Sequence, residues 1–291
     1  MKIVGDLKST AWDHSSDERF YNYYAQASQS KKAQQRFRSI RDCVLRTVER
    51  GGSAAGILEV ADIGCGAGTQ SLLWAELAHH VHGLDVNEPL LNLARERAKQ
   101  SGYIIDFRLG SATHLPWADE SMDVCLLVEL LEHVSEWQDC LRECARVLCP
   151  GGILFLTTSN KLCPRQQEFN LPLYSWYPKM LKRHFQRLAT TTRPELANYA
   201  KYPAVNWFSF YSLRAALAPY GFRCLDRFEI ADLPTKSGWV RGVLTCMRLL
   251  PPLRWFGHVA TAGTTVAAIK LGAVRQTGCA GSKRERTAGW Q

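Results

Sequence analysis

The sequence predicts an α/β fold built on a mostly parallel sheet with helices on both faces. Three observations predict it. First, residues 58–69 (Leu-Glu-Val-Ala-Asp-Ile-Gly-Cys-Gly-Ala-Gly-Thr) run from a short apolar stretch into a tight turn with glycines at every second position, and helical apolar spacing then restarts over residues 71–77. Second, another apolar run, residues 81–84, closes on Asp85, at the place where a parallel strand presents its carboxyl edge. Third, residues 121–127 and 145–154 repeat the rhythm of an apolar strand followed by helix, turn and strand.

Taken in order, residues 1–50 read as an N-terminal helical cap, with Phe20, Tyr23, Tyr24, Phe37, Ile40, Val44, Leu45 and Val48 at helical spacings. Residues 51–56, rich in glycine and small residues, form a flexible entry into the main domain, residues 51–270. Strands are predicted at 60–63, 81–84, 104–108, 121–127 and, after Pro150-Gly151-Gly152, from Ile153 onward. Five prolines between Asn160 and Val205 break this rhythm and mark an insertion, about 160–205, aromatic and basic by turns. It reads as an acceptor-binding lid, an interfacial helix or a packed helical cap. Residues 207–217 lead into a sixth strand at 223–230, and a second insertion, about 232–262, precedes a seventh at 264–270. In that insertion Val240, Val243, Leu244 and Met247 share a helical face, with Arg241 and Arg248 on another, before Pro251-Pro252 and Trp255-Phe256. Residues 271–291 read as a basic flexible tail.

The 291 residues carry ten cysteines but no C-x-x-C pair, so the thiols read as reduced core residues rather than as a zinc site or a disulfide framework. The charged N-terminus and the lack of an 18-residue apolar run predict a cytoplasmic protein without a spanning helix. The net charge of +9 is concentrated after Ala231, where nine basic residues face only Asp232 and Glu285. That asymmetry predicts an anionic partner surface. Interleaved aromatic and aliphatic residues favour a membrane surface, met through 171–188 and 239–256, although packing on the domain or on a second subunit would use the same pattern. Base methylation in nucleic acid would call for a proline-containing motif after the fourth strand, and residues 128–132 contain no proline.

The spacing G-x-G-x-G, with Asp62 two residues ahead, is not the G-x-G-x-x-G of dinucleotide sites. With Asp85, the loop at 110–112 followed by Leu115-Pro116-Trp117, and Pro150-Gly151-Gly152, the chain resembles the class I S-adenosylmethionine-dependent methyltransferases from about residue 58 to 230. The resemblance implies a Rossmann-like, seven-stranded fold. It implies S-adenosyl-L-methionine as cofactor, bordered by Asp62, Gly64, Cys65, Gly66, Gly68 and Val128, with Asp85 and Val86 at the ribose and Ser111 and Ala112 at the adenine. Tyr24 either closes over the methionine moiety or packs the cap. Ser111 departs from the pattern, because many members carry an aspartate there.

The candidate chemistry lies in residues 128–134. If they enter a helix, Glu129, Glu132 and His133 stand at i, i+3 and i+4 and project together. The run Glu-x-x-Glu-His is similar to that of the ubiquinone-pathway O-methyltransferases, whose corresponding positions can hold magnesium, which would lower an acceptor hydroxyl's pKa. Without metal, His133 is the best general base, with Glu132 beside it, because imidazole titrates near neutral pH. His114, in the loop at the adenine, is a weaker candidate for the base and reads more readily as an exposed loop residue, and His79, His80 and His82 are assigned no role. The resulting expectation is O-methylation of a hydrophobic or lipid-linked hydroxyl compound such as a polyprenyl phenol. The alternatives are a sugar hydroxyl and a non-catalytic, membrane-associated cofactor-binding protein.

Overall fold

The computed structural model describes residues 28–51, 56–166, 168–197, 204 and 206–272. Its centre is a seven-stranded sheet of β1 (Glu59–Ile63), β2 (His80–Asp85), β3 (Asp106–Leu109), β4 (Met122–Val128), β5 (Leu148–Ser159), β6 (Phe222–Asp226) and β7 (Gly263–Lys270). The spatial order is β3-β2-β1-β4-β5-β7-β6, and only β7 runs antiparallel to its neighbours. The order reverses direction between β1 and β4, the point at which open α/β sheets leave a crevice at their carboxyl edge.

The central strands are covered on both faces, which is why they read as unbroken apolar runs. Val60, Ala61 and Ile63 of β1 and Val124 to Leu127 of β4 have no exposed surface. On one face α1 (Lys31–Arg50) brings Ile40 and Val44 against Val60, Val124, Leu126 and Phe155, alongside Trp74 of α2 (Thr69–Ala75). The other face is covered by α4 (Trp137–Val147) and α6 (Phe210–Leu217), whose Cys140, Leu141, Cys144, Phe210 and Leu213 pack on Ala61, Cys125, Leu127 and Leu154. Cys140, Cys144 and Cys149 are buried core residues, as the sequence predicts, and the Cys149 thiol donates to the Glu120 carbonyl.

Local chemistry sets the helix boundaries. Ser30 accepts a hydrogen bond from the Ala33 N–H to begin α1, and Asn87 accepts one from Leu90 to begin α3 (Glu88–Gln100). The α6 start is a reciprocal Ser209–Ser212 capping box. Several strand ends differ from the sequence reading. The sixth strand stops at Asp226 rather than at 230, because its carboxylate captures the Phe228 and Glu229 N–H groups and turns the chain. The third begins at Asp106, leaving Ile104 fully exposed.

The insertion after β5 builds a small core of its own from Phe169, Tyr174, Ala189 and Ala197, with α5 (Lys179–Thr191) as its main helix. Phe169 and Tyr174 stack at 4.0 Å, and the Lys182 ammonium lies 5.1 Å from the centre of the Trp207 ring. These contacts give the segment a core of its own, while Met180 on α5 stays exposed. The second insertion forms α7 (Gly238–Leu249) and α8 (Pro251–Val259). Among the described residues no helix is long and apolar enough to cross a membrane.

Candidate functional site

Strand β1 delivers the chain into the glycine turn at the carboxyl edge of the sheet. Gly64, Gly66 and Gly68 all take positive φ, at 76°, 52° and 74°. Their surroundings differ. A Cβ on Gly68 would stand 2.8 Å from Ala94 Cβ, so this glycine lets α3 press against the loop. A Cβ on Gly66 would meet nothing closer than Leu90 Cδ1 at 4.0 Å, so the backbone there opens toward a ligand. Asp62, buried beneath the turn, accepts a 2.6 Å hydrogen bond from Ser71 Oγ. Burial pushes its pKa up to about 6, Ser71 opposes the shift, and the nearby Asp85 charge adds to it. Cys65 is buried, and burial, with the two aspartates adding, drives its thiol well above the usual range.

Asp85 ends β2 beside this turn. Its Oδ2 accepts from the Gly66 N–H and its Oδ1 from the Asn87 N–H, both at 2.8 Å. Burial raises its pKa, and the N–H groups of Asn87, Gly66 and Val86 pull it back. A carboxylate has about four lone-pair directions, and the Gly66 and Asn87 N–H groups take two of them. The Gly110 N–H donates to the Asp85 carbonyl at 3.0 Å, which brings residues 110–112 to the same edge. Ser111 Oγ is engaged with its own turn, accepting from the Thr113 N–H at 3.2 Å and lying 2.8 Å from Thr113 Oγ1. The three glycines, Asp85 and half-buried Val86 thus lie at the carboxyl ends of β1 and β2 over buried Asp62, with Ser111 and Ala112 in the loop tied to Asp85. Tyr24 lies outside the described residues.

The segment after β4 corrects the sequence reading. It does not enter a helix at Glu129. That residue takes a left-handed φ of 53°, donates its N–H to the Thr157 carbonyl at 2.9 Å, and only a single 3₁₀ turn follows at Leu131–His133. The i, i+3, i+4 face is therefore never formed. Glu129 instead reaches Arg36 of α1, whose guanidinium holds both its carboxylate oxygens at 2.6 and 3.1 Å. Glu132 turns inward and is buried, whereas His133 is half-buried. Among the described residues no group of three His, Cys, Asp or Glu side chains is arranged to hold a metal ion. The expected triad of Glu129, Glu132 and His133 does not fit magnesium.

The 3₁₀ turn is held by a residue that no sequence signal marked. Asn206 donates from Nδ2 to the Val134 carbonyl at 2.6 Å and from its backbone N–H to the Glu132 carbonyl at 3.1 Å. Glu168, from the first insertion, also approaches, accepting from Ser159 Oγ at 3.1 Å. Burial pushes Glu132 up to about 8; its backbone N–H and the Thr158 hydroxyl oppose this, and the Glu129 and Glu168 charges add to it. Its Oε2 is buried without a hydrogen-bond partner among the described residues. The other histidines lie elsewhere. His80 and His82 bind Glu59 at 2.9 Å each, at the amino edge of the sheet, and His114 is exposed.

Comparison with known proteins adds to this geometry. Residues 61–156 match the family model described as a methyltransferase domain. Over those residues the chain is similar to that domain, and its seven-stranded, mostly parallel sheet has the Rossmann-like fold of the class I methyltransferases. It is 38% identical over 104 residues to a ubiquinone biosynthesis O-methyltransferase of Rhizobium etli, covering 36% of this chain and 42% of that protein. The chain thus spans less than half the length of that relative. A protein of the same name from Brucella anthropi is 29% identical over 186 residues, 63% of this chain and 67% of the other. In fold the chain is similar to an S-adenosylmethionine-dependent methyltransferase from Mesorhizobium loti, with a TM-score of 0.50 at 17% identity, covering 78% of this chain and 97% of that one.

Proposed function

We propose that the protein is an S-adenosylmethionine-dependent O-methyltransferase that acts in the cytoplasm on a hydroxyl of a hydrophobic or lipid-linked small molecule. The observation that carries the reading is Asp85, fixed by the Gly66 and Asn87 N–H groups beside the open backbone of the glycine turn. That arrangement suits a nucleoside's two ribose hydroxyls. S-adenosylmethionine, when bound, supplies a methyl group on a positively charged sulfur. The residues' tasks are then to align, to exclude water and to manage one proton. The turn from Gly64 to Gly68 lies along the methionine part, Asp85 takes the ribose, and backbone groups of residues 110–112 read the adenine, since the Ser111 hydroxyl is engaged with Thr113. The hydroxyl acceptor class draws on the similarity to the ubiquinone biosynthesis O-methyltransferases.

His133 takes the acceptor's proton. Glu132 keeps its own proton up to about pH 8, so at neutral pH it is a positioning residue under the 3₁₀ turn rather than a base. No step needs a divalent ion. The test is turnover on a polyprenyl phenol and on a glycoside with a free hydroxyl, using wild type, His133→Gln and Glu132→Gln. Loss of general-base help costs roughly 10²- to 10⁴-fold in kcat. That loss is expected in His133→Gln with cofactor affinity intact, whereas Glu132→Gln, a neutral isostere, stays within about threefold and keeps the wild-type pH profile. The opposite pattern would reverse the assignment, and turnover on the glycoside alone would overturn the acceptor class.

A further inference from the structure

The α7–α8 pair is amphipathic in the wrong sense for a soluble protein. A surface helix ordinarily buries its apolar stripe and shows its charges to water. Here two arginines point inward. Arg248 donates to the carbonyls of Phe228, Glu229 and Ala231 at 2.7, 3.0 and 2.8 Å, and Arg254 pairs with buried Asp226 at 2.6 Å and with Glu229 at 2.5 Å. Behind them, His258 is buried, stacked on Phe210 at 5.3 Å and bonded to Asp226 at 2.9 Å. The pair is therefore clamped to the domain by polar groups, while α7 has no buried residue at all. Trp239, Leu249, Leu250, Trp255 and Phe256 face outward, with Trp239 76%, Leu249 72% and Phe256 62% exposed.

Charge and position say what covers this face. From residue 233 to 284 the sequence contains no aspartate or glutamate, and Lys236 and Arg241 are exposed beside the apolar side chains. Tryptophan and phenylalanine rimmed by cations match the boundary between anionic headgroups and acyl chains, and a carboxylate-free surface incurs no repulsion there. Because β6 runs parallel to β1 and β4 while β7 runs back, the connection from Asp226 to Gly263 lies at the carboxyl edge of the sheet, the edge that carries the glycine turn and Asp85. We propose that the outward face of α7 and α8 docks the protein on an anionic lipid bilayer, turning the mouth of the site toward the membrane. This deepens the lipid-linked acceptor reading and rests on it for its purpose, but its test uses no turnover, so the two fail separately.

The experiment is co-sedimentation with vesicles of phosphatidylcholine alone and of phosphatidylcholine with phosphatidylglycerol. Wild type and Leu249→Ser/Phe256→Ser are compared at matched thermal stability and S-adenosylmethionine affinity. Wild type is expected to partition onto the anionic vesicles, with the double variant at least about tenfold weaker, the order expected for losing two buried apolar side chains. Quenching of wild-type tryptophan fluorescence by brominated lipids gives a second readout that needs no variant. Wild type remaining in the supernatant, a double variant that binds equally well, or the absence of quenching would overturn the proposal. So would a dimer in light scattering that the double variant dissociates, which would assign the face to a second copy of the chain.

Discussion

Replacing Asp85 by asparagine leaves its shape almost unchanged and reverses part of its hydrogen bonding. In the wild type both carboxylate oxygens accept, one from the Gly66 N–H and one from the Asn87 N–H, each at 2.8 Å. An asparagine side chain has one accepting oxygen and one donating nitrogen, so one backbone N–H must face another donor or the loop must shift. A hydrogen bond to a charged group contributes about 1.5 to 3 kcal/mol, so losing its contribution to two ribose hydroxyls amounts to about 3 to 6 kcal/mol. At 1.4 kcal/mol per factor of ten, Asp85→Asn is expected to weaken S-adenosylmethionine by at least about a hundredfold. The assay is calorimetric titration, with far-ultraviolet circular dichroism and a melting curve to show that the sheet is intact. Affinity within about threefold of wild type, in a folded variant, would refute the role of Asp85 and with it the placing of the nucleoside.

Two further predictions concern the frame around the site. Asp226 has no exposed surface and holds Arg254, His258 and two backbone N–H groups, so Asp226→Ala breaks the buried pair with His258 and leaves Arg254 with Glu229 alone; the expected loss is about 3 to 5 kcal/mol, seen as a fall in Tm of roughly 6 to 20 °C, and an unchanged Tm would contradict the clamp. At the amino edge, the His82 hydrogen bond holds Glu59 down at about 2 against its burial, with His80 adding to the effect. Burial works against the charge on His82, but Glu59 and Asp106 outweigh it and leave the imidazole above 6.5. The depressed Glu59 contributes stability above its ordinary 4.5 and loses it as pH falls toward 2, while the raised His82 contributes below 6.5 and loses it as pH rises through its folded value. The difference in Tm between wild type and Glu59→Gln is therefore expected to be largest between pH 4.5 and 6.5 and to shrink on either side, whereas a difference independent of pH would remove the ion pair from the account.

The sequence by itself determined the frame of the candidate cofactor site. Strand, glycine turn, helix and the acid at Asp85 are written within about thirty consecutive residues, and local backbone chemistry decides them. Only glycine takes the three positive φ values without strain, and only a strand that ends at Asp85 brings its carboxylate back to Gly66. The segment after β4 was not legible in the same way. Glu129, Glu132 and His133 have helical spacing, but partners distant in the chain override it: Arg36 draws Glu129 outward, Thr157 bonds its backbone, and Asn206 fastens the turn that buries Glu132. Periodicity likewise identified a basic, amphipathic helix near residue 240 and could not tell which face would meet the domain. That was decided by Asp226 and by carbonyls at the end of β6, which draw in Arg248 and Arg254 and leave the tryptophans outside. A pattern along the chain carries local geometry, whereas the orientation of a charged side chain is set by whichever desolvated partner the fold brings within reach.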